Sequence, residues 1–242
     1  MRVLVISDIH ANLTALEAVL EAAGEVDAFW CLGDLVGYGP DPNECIERVR
    51  WLPNLTCLIG NHDAAALGQI DVDAFNMDAR TSILWLQRVL TPANQEFLRS
   101  LPEKVVIGSV TLAHGSPRNP VWEYILDTRV ARVNFEFFVT PYCFVGHSHL
   151  PVLYQFPDSR PEIQLIIPEA NQSIKLIPRT IINPGSVGQP RDRDPRAAYA
   201  IYDTETEIWE QHRVPYDIAA VQQRIHDAGL PERHAMRLAE GW

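Results

Sequence analysis

Positive charge is scarce in this chain. Lys and Arg number 20 against 31 Asp and Glu, a formal net charge of −11 over 242 residues. Such a chain repels a phosphate backbone unless it carries a local basic patch. The densest group of bases, Arg191-Asp192-Arg193-Asp194-Pro195-Arg196, is already interleaved with acids, so no long nucleic-acid partner is expected. No apolar run approaches the roughly 18–20 residues a membrane span needs, and no membrane partner is expected. The opening Met1–Asp8 meets an acid too early for a secretory signal and reads as a first strand. The few cysteines, Cys31, Cys45, Cys57 and Cys143, make no C-x-x-C pair, and three of them sit in apolar runs where a free thiol packs as a small hydrophobe. That favours a reducing, cytoplasmic setting. Repeats, low-complexity tracts and linkers are missing too, so a single domain over 1–242 is expected.

What is present begins with alternation of strand and helix. Arg2–Ile6 is a short apolar run, hence a buried strand. In the segment from Asn12, residues Leu13, Leu16, Val19, Leu20 and Ala23 fall at helical spacing; Thr14 with Glu17 fits a capping box, and Gly24 is a natural stop. Ala28–Leu32 reads as a second strand, Asn43–Arg50 as a helix and Leu55–Ile59 as a third strand. This order argues for a parallel α/β sheet, in which ligands gather outside the carboxyl ends of the strands. A helical excursion over 64–101 follows, with Asp73–Leu90 at helical spacing and Thr91-Pro92 restarting a helix. Then come strands: Val105–Ile107 and Val110–Ala113 around Gly108-Ser109, followed by Tyr142–Val145, Val152–Phe156, Ile163–Ile167, Ile174–Ile177, Ala198–Tyr202 and Glu207–His212. They predict a second, largely antiparallel sheet against the first. A helical tail from about residue 216 carries helices near Ile218–Ala228 and Glu232–Glu240.

Five loops share one construction, an apolar strand and then a metal-competent side chain. They are Asp8-Ile9-His10, Gly33-Asp34, Gly60-Asn61-His62-Asp63, His114-Gly115 and Gly146-His147-Ser148-His149. Singly, each reads as a turn, an N-cap or a hydrogen-bonded histidine. Jointly, five of the eight histidines and several carboxylates stand where buried strands end, and buried groups of this kind need partners. A cation is a partner common to all of them. Mixed nitrogen and oxygen donors suit Mn, Fe, Zn, Co or Ni rather than Ca or Mg, and there are too many donors for one tetrahedral zinc.

In that order, the motifs Asp8-x-His10, Gly33-Asp34, Gly60-Asn61-His62-Asp63, His114 and Gly146-His147-x-His149 resemble those of the calcineurin-like metallophosphoesterases. Asn183-Pro184-Gly185-Ser186-Val187-Gly188 further resembles the N-P-G-S loop of their compact bacterial and archaeal phosphodiesterase branch. The resemblance implies a mixed α/β fold, a four-layer α/β/β/α sandwich of two mixed sheets flanked by helices. It also implies two divalent transition-metal ions, with Mn2+ first in expectation and Fe, Zn, Co or Ni as alternatives. One would be bound by Asp8, His10, Asp34 and His149, the other by Asp34, Asn61, His114 and His147. Asp34 would bridge through its two oxygens. Such a pair lowers the pKa of a bridging water, which attacks phosphorus in line, so the implied activity is hydrolysis of small phosphodiesters or phosphomonoesters, nucleotides included. His62 resembles the family's non-ligand histidine, which protonates the leaving group or stabilises the pentacoordinate phosphate, and Asp63 would orient it.

Two departures stand out. Ala11 takes a position where this branch commonly has Gly, although Asn12 still matches the motif and is a candidate for contacting substrate. The run after Asp34, Leu35-Val36-Gly37-Tyr38-Gly39-Pro40, lacks the Asp-Arg-Gly run of the serine/threonine protein phosphatases, which argues against that activity. It also leaves the phosphate-binding cation open; Arg118 and Arg191 are the candidates, with a solvated surface role as the alternative for each. Trp122 and Tyr124 would stack a nucleobase or simply close the core edge. The alternative function on this fold is a non-catalytic metal- or nucleotide-binding scaffold or regulator. Members that take that path typically lose the catalytic histidine or a ligand, whereas every such position is filled here.

Overall fold

A computed structural model of the chain describes residues 1–157 and 162–242. Its first sheet is built on β1 (Arg2–Ile6), which pairs in parallel with β2 (Ala28–Cys31), itself parallel to β3 (Leu55–Cys57). Between them run α1 (Leu13–Ala23) and α2 (Pro42–Arg50). The register of β1 sends Val3 and Val5 to one face and Leu4 and Ile6 to the other, and all four side chains are fully buried. Each is worth roughly 1.5–3 kcal/mol of apolar transfer, which makes this strand the fixed centre of the fold.

The helical excursion contains α3 (Asn61–Ala66), a 3-10 turn at Val72–Ala74, α4 (Met77–Val89) and α5 (Pro92–Ser100). The second sheet then forms from β4 (Lys104–Ile107), β5 (Val110–Ala113), β6 (Tyr142–Phe144), β7 (Val152–Gln155) and β8 (Gln164–Ile166), with α6 (Thr128–Asn134) before β6. After β9 (Ser173–Lys175) comes β10 (Thr180–Asn183), then β11 (Ala197–Asp203), β12 (Ile208–Val214), α7 (Ile218–Asp227) and α8 (Glu232–Glu240). The strand orders are β3-β2-β1-β11-β12-β9 and β4-β5-β6-β10-β7-β8.

Three packed clusters define four layers. Leu4, Ile6, Cys31 and Ile201 meet Leu16, Ile46, Leu86 and Leu98 of the helices outside the first sheet. Val3, Trp30, Phe144, Ile182, Tyr202 and Trp209 fill the space between the sheets. Cys143, Val145, Tyr154 and Ile181 pack against Ala131 and Phe135 on the far side. This is the expected α/β/β/α sandwich of two mixed sheets.

Several expectations need correction. The second sheet keeps three antiparallel pairs, but β5-β6 and β6-β10 are parallel, and the late strands β9, β11 and β12 complete the first sheet instead. The central strand β10 and the helix α6 have no counterpart among the expected elements, and α3 begins in residues read as a loop. The cap of α1 is Asn12, whose Oδ1 accepts from Ala15 N at 3.0 Å, rather than Thr14. The helical pattern over Asp73–Leu90 is interrupted because Asn76 caps a fresh start, accepting from Ala79 N at 3.1 Å. Among the described residues, no helix is long and apolar enough to cross a membrane.

The consequence for function lies in strand direction. β1, β2 and β3 run in parallel, as do β5, β6 and β10, and every polar loop singled out above leaves one of their carboxyl ends.

Candidate metal centre

After β1, β2 and β6 the chain turns by entering the left-handed region. Asp8, His10, Asp34, His147 and His149 have φ of 54°, 49°, 55°, 65° and 62°. A non-glycine residue there costs of order 1–3 kcal/mol, and such strain gathers where side chains must be aimed. Ala11 shares the conformation at φ 51°, which accounts for glycine being the easier residue at that position. Gly60 lies so close to Asp34 that a methyl group would fall on Asp34 Oδ1, and one at Gly146 would fall on Ser7 Oγ.

The loops bring three groups of ligand atoms together, each within 4.8 Å: Asp8, His10 and His149; His10, Asp34 and His62; and Asp34, His114 and His147. All seven residues are buried. Backbone carbonyls set the imidazole tautomers. His10 Nδ1 is 3.1 Å from Val36 O, His114 Nδ1 2.8 Å from Leu32 O and His149 Nδ1 2.5 Å from Gln189 O. A carbonyl only accepts, so these Nδ1 atoms carry a proton and the Nε2 atoms face inward. His147 is turned the other way, with Nε2 3.1 Å from Trp122 O.

The inward atoms then oppose one another. His10 Nε2 and His149 Nε2 lie 3.1 Å apart, with Asp8 Oδ1 at 3.4 Å from His149 and 3.8 Å from His10. Three acceptors converge with no donor among them. On the other side Asp34 Oδ2 lies 3.4 Å from His114 Nε2 and 3.7 Å from His10 Nε2, and Asn61 Oδ1 lies 3.2 Å from His114 Nε2. Asp8 Oδ1 and Asp34 Oδ2 are buried without a hydrogen-bond partner. A cation on each side satisfies all of these atoms, and the donor set fits divalent transition metals.

The electrostatics agree. Burial holds His10, His147 and His149 well below the ordinary imidazole range, so they are neutral, the form in which an imidazole can bind a cation. Burial also works against charge on His114, yet Asp34 and Asp8 lift it to about 9. That proton stands where a cation's charge is called for. Burial raises Asp8 to about 6 and Asp63 to about 7; it would raise Asp34 as well, but His114, His62 and His10 outweigh it and hold that carboxyl well below its usual value.

The seven expected ligands are therefore assembled, with one change of detail. Asp34 Oδ1 accepts the His62 backbone N–H at 2.9 Å, so only Oδ2 faces both ligand groups. His62 sits against Tyr38, His10 and Phe75, at ring distances of 4.4, 5.0 and 5.1 Å, and its Nδ1 is buried without a partner. Asp63 does not orient it. Its oxygens accept from Val36 N and Gly60 N, both at 3.0 Å, which ties the loop after β2 to the loop after β3. Asn12 is engaged by protein groups: beyond capping α1 it donates to Gly188 O at 3.1 Å. Arg118 is taken by Glu123, which also accepts from Ser116 Oγ at 2.7 Å and Asn134 Nδ2 at 2.9 Å. Arg191 alone of the expected phosphate contacts stands at the site, donating to Tyr38 Oη at 3.3 Å and Gln189 Oε1 at 3.1 Å. Tyr124 stacks on His147 at 3.7 Å, and the Trp122 ring meets Phe75 edge-on at 5.1 Å, so both aromatics already have protein neighbours.

The carbonyl clamps leave no trace in the sequence, because any residue type supplies a carbonyl. The Asn183–Gly188 loop likewise carries a task that its residue types do not reveal. There Asn183 Nδ2 donates to Gly146 O at 2.6 Å and Ser148 Oγ at 3.0 Å, while Ser186 Oγ donates to Asp8 O at 2.8 Å. The loop thus fastens the His147–His149 turn to the Asp8 turn.

Comparison with known proteins adds further likenesses. The profile of the calcineurin-like phosphoesterase superfamily domain matches residues 1–207. A metallophosphoesterase from Sphaerobacter thermophilus has 48% sequence identity and a TM-score of 0.92, covering 100% of this chain and 99% of its own. The uncharacterized protein MJ0912 of Methanocaldococcus jannaschii is 41% identical over 98% of this chain and 97% of its own length. A shorter stretch, 26% of this chain, is 40% identical to 24% of the symmetrical bis(5'-nucleosyl)-tetraphosphatase of Erwinia tasmaniensis.

Proposed function

The chain belongs to the calcineurin-like phosphoesterase superfamily, and from that premise we propose that it is a hydrolase of small phosphodiesters or phosphomonoesters that works with two divalent transition-metal ions, manganese foremost. The observation that carries this reading is the facing of Asp8 Oδ1, His10 Nε2 and His149 Nε2 without a donor among them. A structural polar cluster would contain donors to match its acceptors. Asp8, His10, Asp34 and His149 would hold one ion, and Asp34, Asn61, His114 and His147 the other. When bound, such a pair supplies the Lewis acidity that activates water and neutralises phosphoryl oxygens.

The chain's own groups do the rest. Val36, Leu32, Gln189 and Trp122 carbonyls keep the imidazoles aimed and raise their basicity as ligands. Asn61 would contribute a neutral oxygen, which would leave its ion more electrophilic than a carboxylate would. Burial pushes His62 down to about 4, so its ring is neutral at pH 7 and offers an N–H to a phosphoryl or leaving-group oxygen. Phe75 and Tyr38 pack against that ring and limit water around it.

The test combines metal analysis with turnover of bis-p-nitrophenyl phosphate and p-nitrophenyl phosphate under added Mn2+, Fe2+, Co2+, Ni2+ or Zn2+. Asn61→Ala is expected to lower metal content and activity together. His62→Ala is expected to keep its metal and slow turnover by about 10²–10³-fold, the usual loss for one transition-state donor. A protein that binds none of these ions and hydrolyses neither ester would refute the proposal.

A further inference from the structure

The last helix brings a second cationic group to the edge of the site. α8 is fixed to α4 through His234, whose Nε2 lies 3.1 Å from Ser82 Oγ and 3.2 Å from Asp78 O. The same ring stands 4.9 Å from Tyr38, whose own ring is 4.6 Å from His10 and 4.4 Å from His62. One helical turn beyond His234 comes Arg237, half-buried, with its guanidinium 5.6 Å from the Trp242 ring centroid. Arg191 approaches Tyr38 from the loop after β10, its guanidinium 5.8 Å from the same phenol ring.

Among the described residues neither arginine has a counter-ion. No carboxylate oxygen of those residues lies within 4.0 Å of either, and the Nε atoms of both are buried without a hydrogen-bond partner. Several other arginines do have one. Arg196 has Asp194, Arg213 has Asp192, Arg224 has Asp41 and Arg118 has Glu123. In a chain with a formal net charge of −11, acids are plentiful, yet among the described residues none forms an ion pair here; burial works against charge on Arg191, but Tyr38, Tyr124 and the more distant Asp8 outweigh it. Burial holds Arg237 below its ordinary basicity, and the like charges of Arg191 and Arg233 add to that effect. Cations withdrawn from water that repel one another call for an anion.

We propose that Arg191 and Arg237 form a second anion subsite beside the metal centre, which takes a phosphate adjacent to the scissile one, so that the preferred substrates carry a polyphosphate chain. The proposal rests on the phosphoesterase reading above for the place of the scissile phosphate. A lone phosphoryl group is already matched by the ions and His62; a cation set beyond Tyr38 on a separate helix is surplus to it. Guanidinium forks pair with phosphate oxygens in bidentate fashion.

Calorimetric titration of the full-length Mn2+-loaded protein with orthophosphate and with imidodiphosphate, whose P–N–P link resists hydrolysis, tests it. Imidodiphosphate is expected to bind about tenfold or more tightly than orthophosphate. Arg237→Ala and Arg191→Ala should each shrink that ratio to about twofold, and Arg237→Lys should retain part of it. Because orthophosphate is the internal reference, a general disturbance of the metal centre moves both affinities and leaves the ratio alone. Equal affinities in the unaltered protein, or a ratio that survives both alanine variants, would overturn the subsite. Should no phosphoester be turned over while the ratio behaves as expected, the subsite stands and the hydrolase reading falls; with turnover and a ratio of one, the hydrolase reading stands and the subsite falls.

Discussion

Asp63→Asn separates two accounts of the central loop. If Asp63 orients His62, the substitution acts on proton transfer; if it staples two loops, it acts on stability and ion binding. The structure has Asp63 Oδ1 on Val36 N and Oδ2 on Gly60 N, each at 3.0 Å, with the carboxylate fully buried. Asparagine keeps one acceptor and turns an NH2 group toward the other backbone N–H. A buried N–H left without a partner costs about 1–3 kcal/mol. For a chain of this size each kcal/mol lowers Tm by about 2–4 °C, so a drop of roughly 2–12 °C is expected. Val36 carries the carbonyl that aims His10, and Gly60 precedes Asn61, so affinity for both ions should weaken with it. Thermal unfolding with and without Mn2+, metal titration and the pH profile of turnover together decide the matter. Unchanged Tm and metal affinity, with slower turnover and a displaced pH profile, would refute the staple and restore the orienting role.

Removing the ions should expose the proton on His114. Its folded value of about 9 lies above the ordinary imidazole value of 6.5, so this group stabilises the ion-free fold fully below pH 6.5 and the benefit is lost as pH rises through 9. Denaturant melts in EDTA should show a decline on the order of 3 kcal/mol between pH 6.5 and 9, and excess Mn2+ should abolish it because the ion displaces the proton; a flat profile in EDTA contradicts the assignment. Gly60→Ala should displace Asp34, since the new methyl falls on its Oδ1, with a loss of about 1–3 kcal/mol and reduced binding of both ions, as read by metal analysis.

Much of this architecture is legible because short apolar runs and helix signals are local. Arg2–Ile6 and Glu232–Glu240 have the bounds that pattern and flanking residues indicate. Thr180–Asn183 is not legible: four residues between Pro178 and Pro184 look like loop, and only pairing with β6 and β7 makes them the middle of a sheet. The Gly60 loop opens a helix, α3, because Asp63 reaches back to Gly60 N at the helix start. The candidate ligands are legible because side-chain chemistry is written in residue type. The groups that aim them are not, since four carbonyls do that work. Arg118 and Arg191 look alike in sequence; a neighbouring Glu123 neutralises one, and burial against Tyr38 commits the other to the site.

The candidate ligands come from both sheets. Asp8, His10, Asp34 and Asn61 leave strands of the first, while His114, His147 and His149 leave strands of the second. Each ion would thus join chain segments far apart in sequence, closing long loops in the way a disulfide does in an oxidising compartment. Unlike a disulfide, this cross-link is reversible, and its strength follows the free concentration of the ion. The resistance of the two layers to separation would then vary with the metal supply around the protein, making cohesion of the sandwich a record of ion availability as well as of sequence.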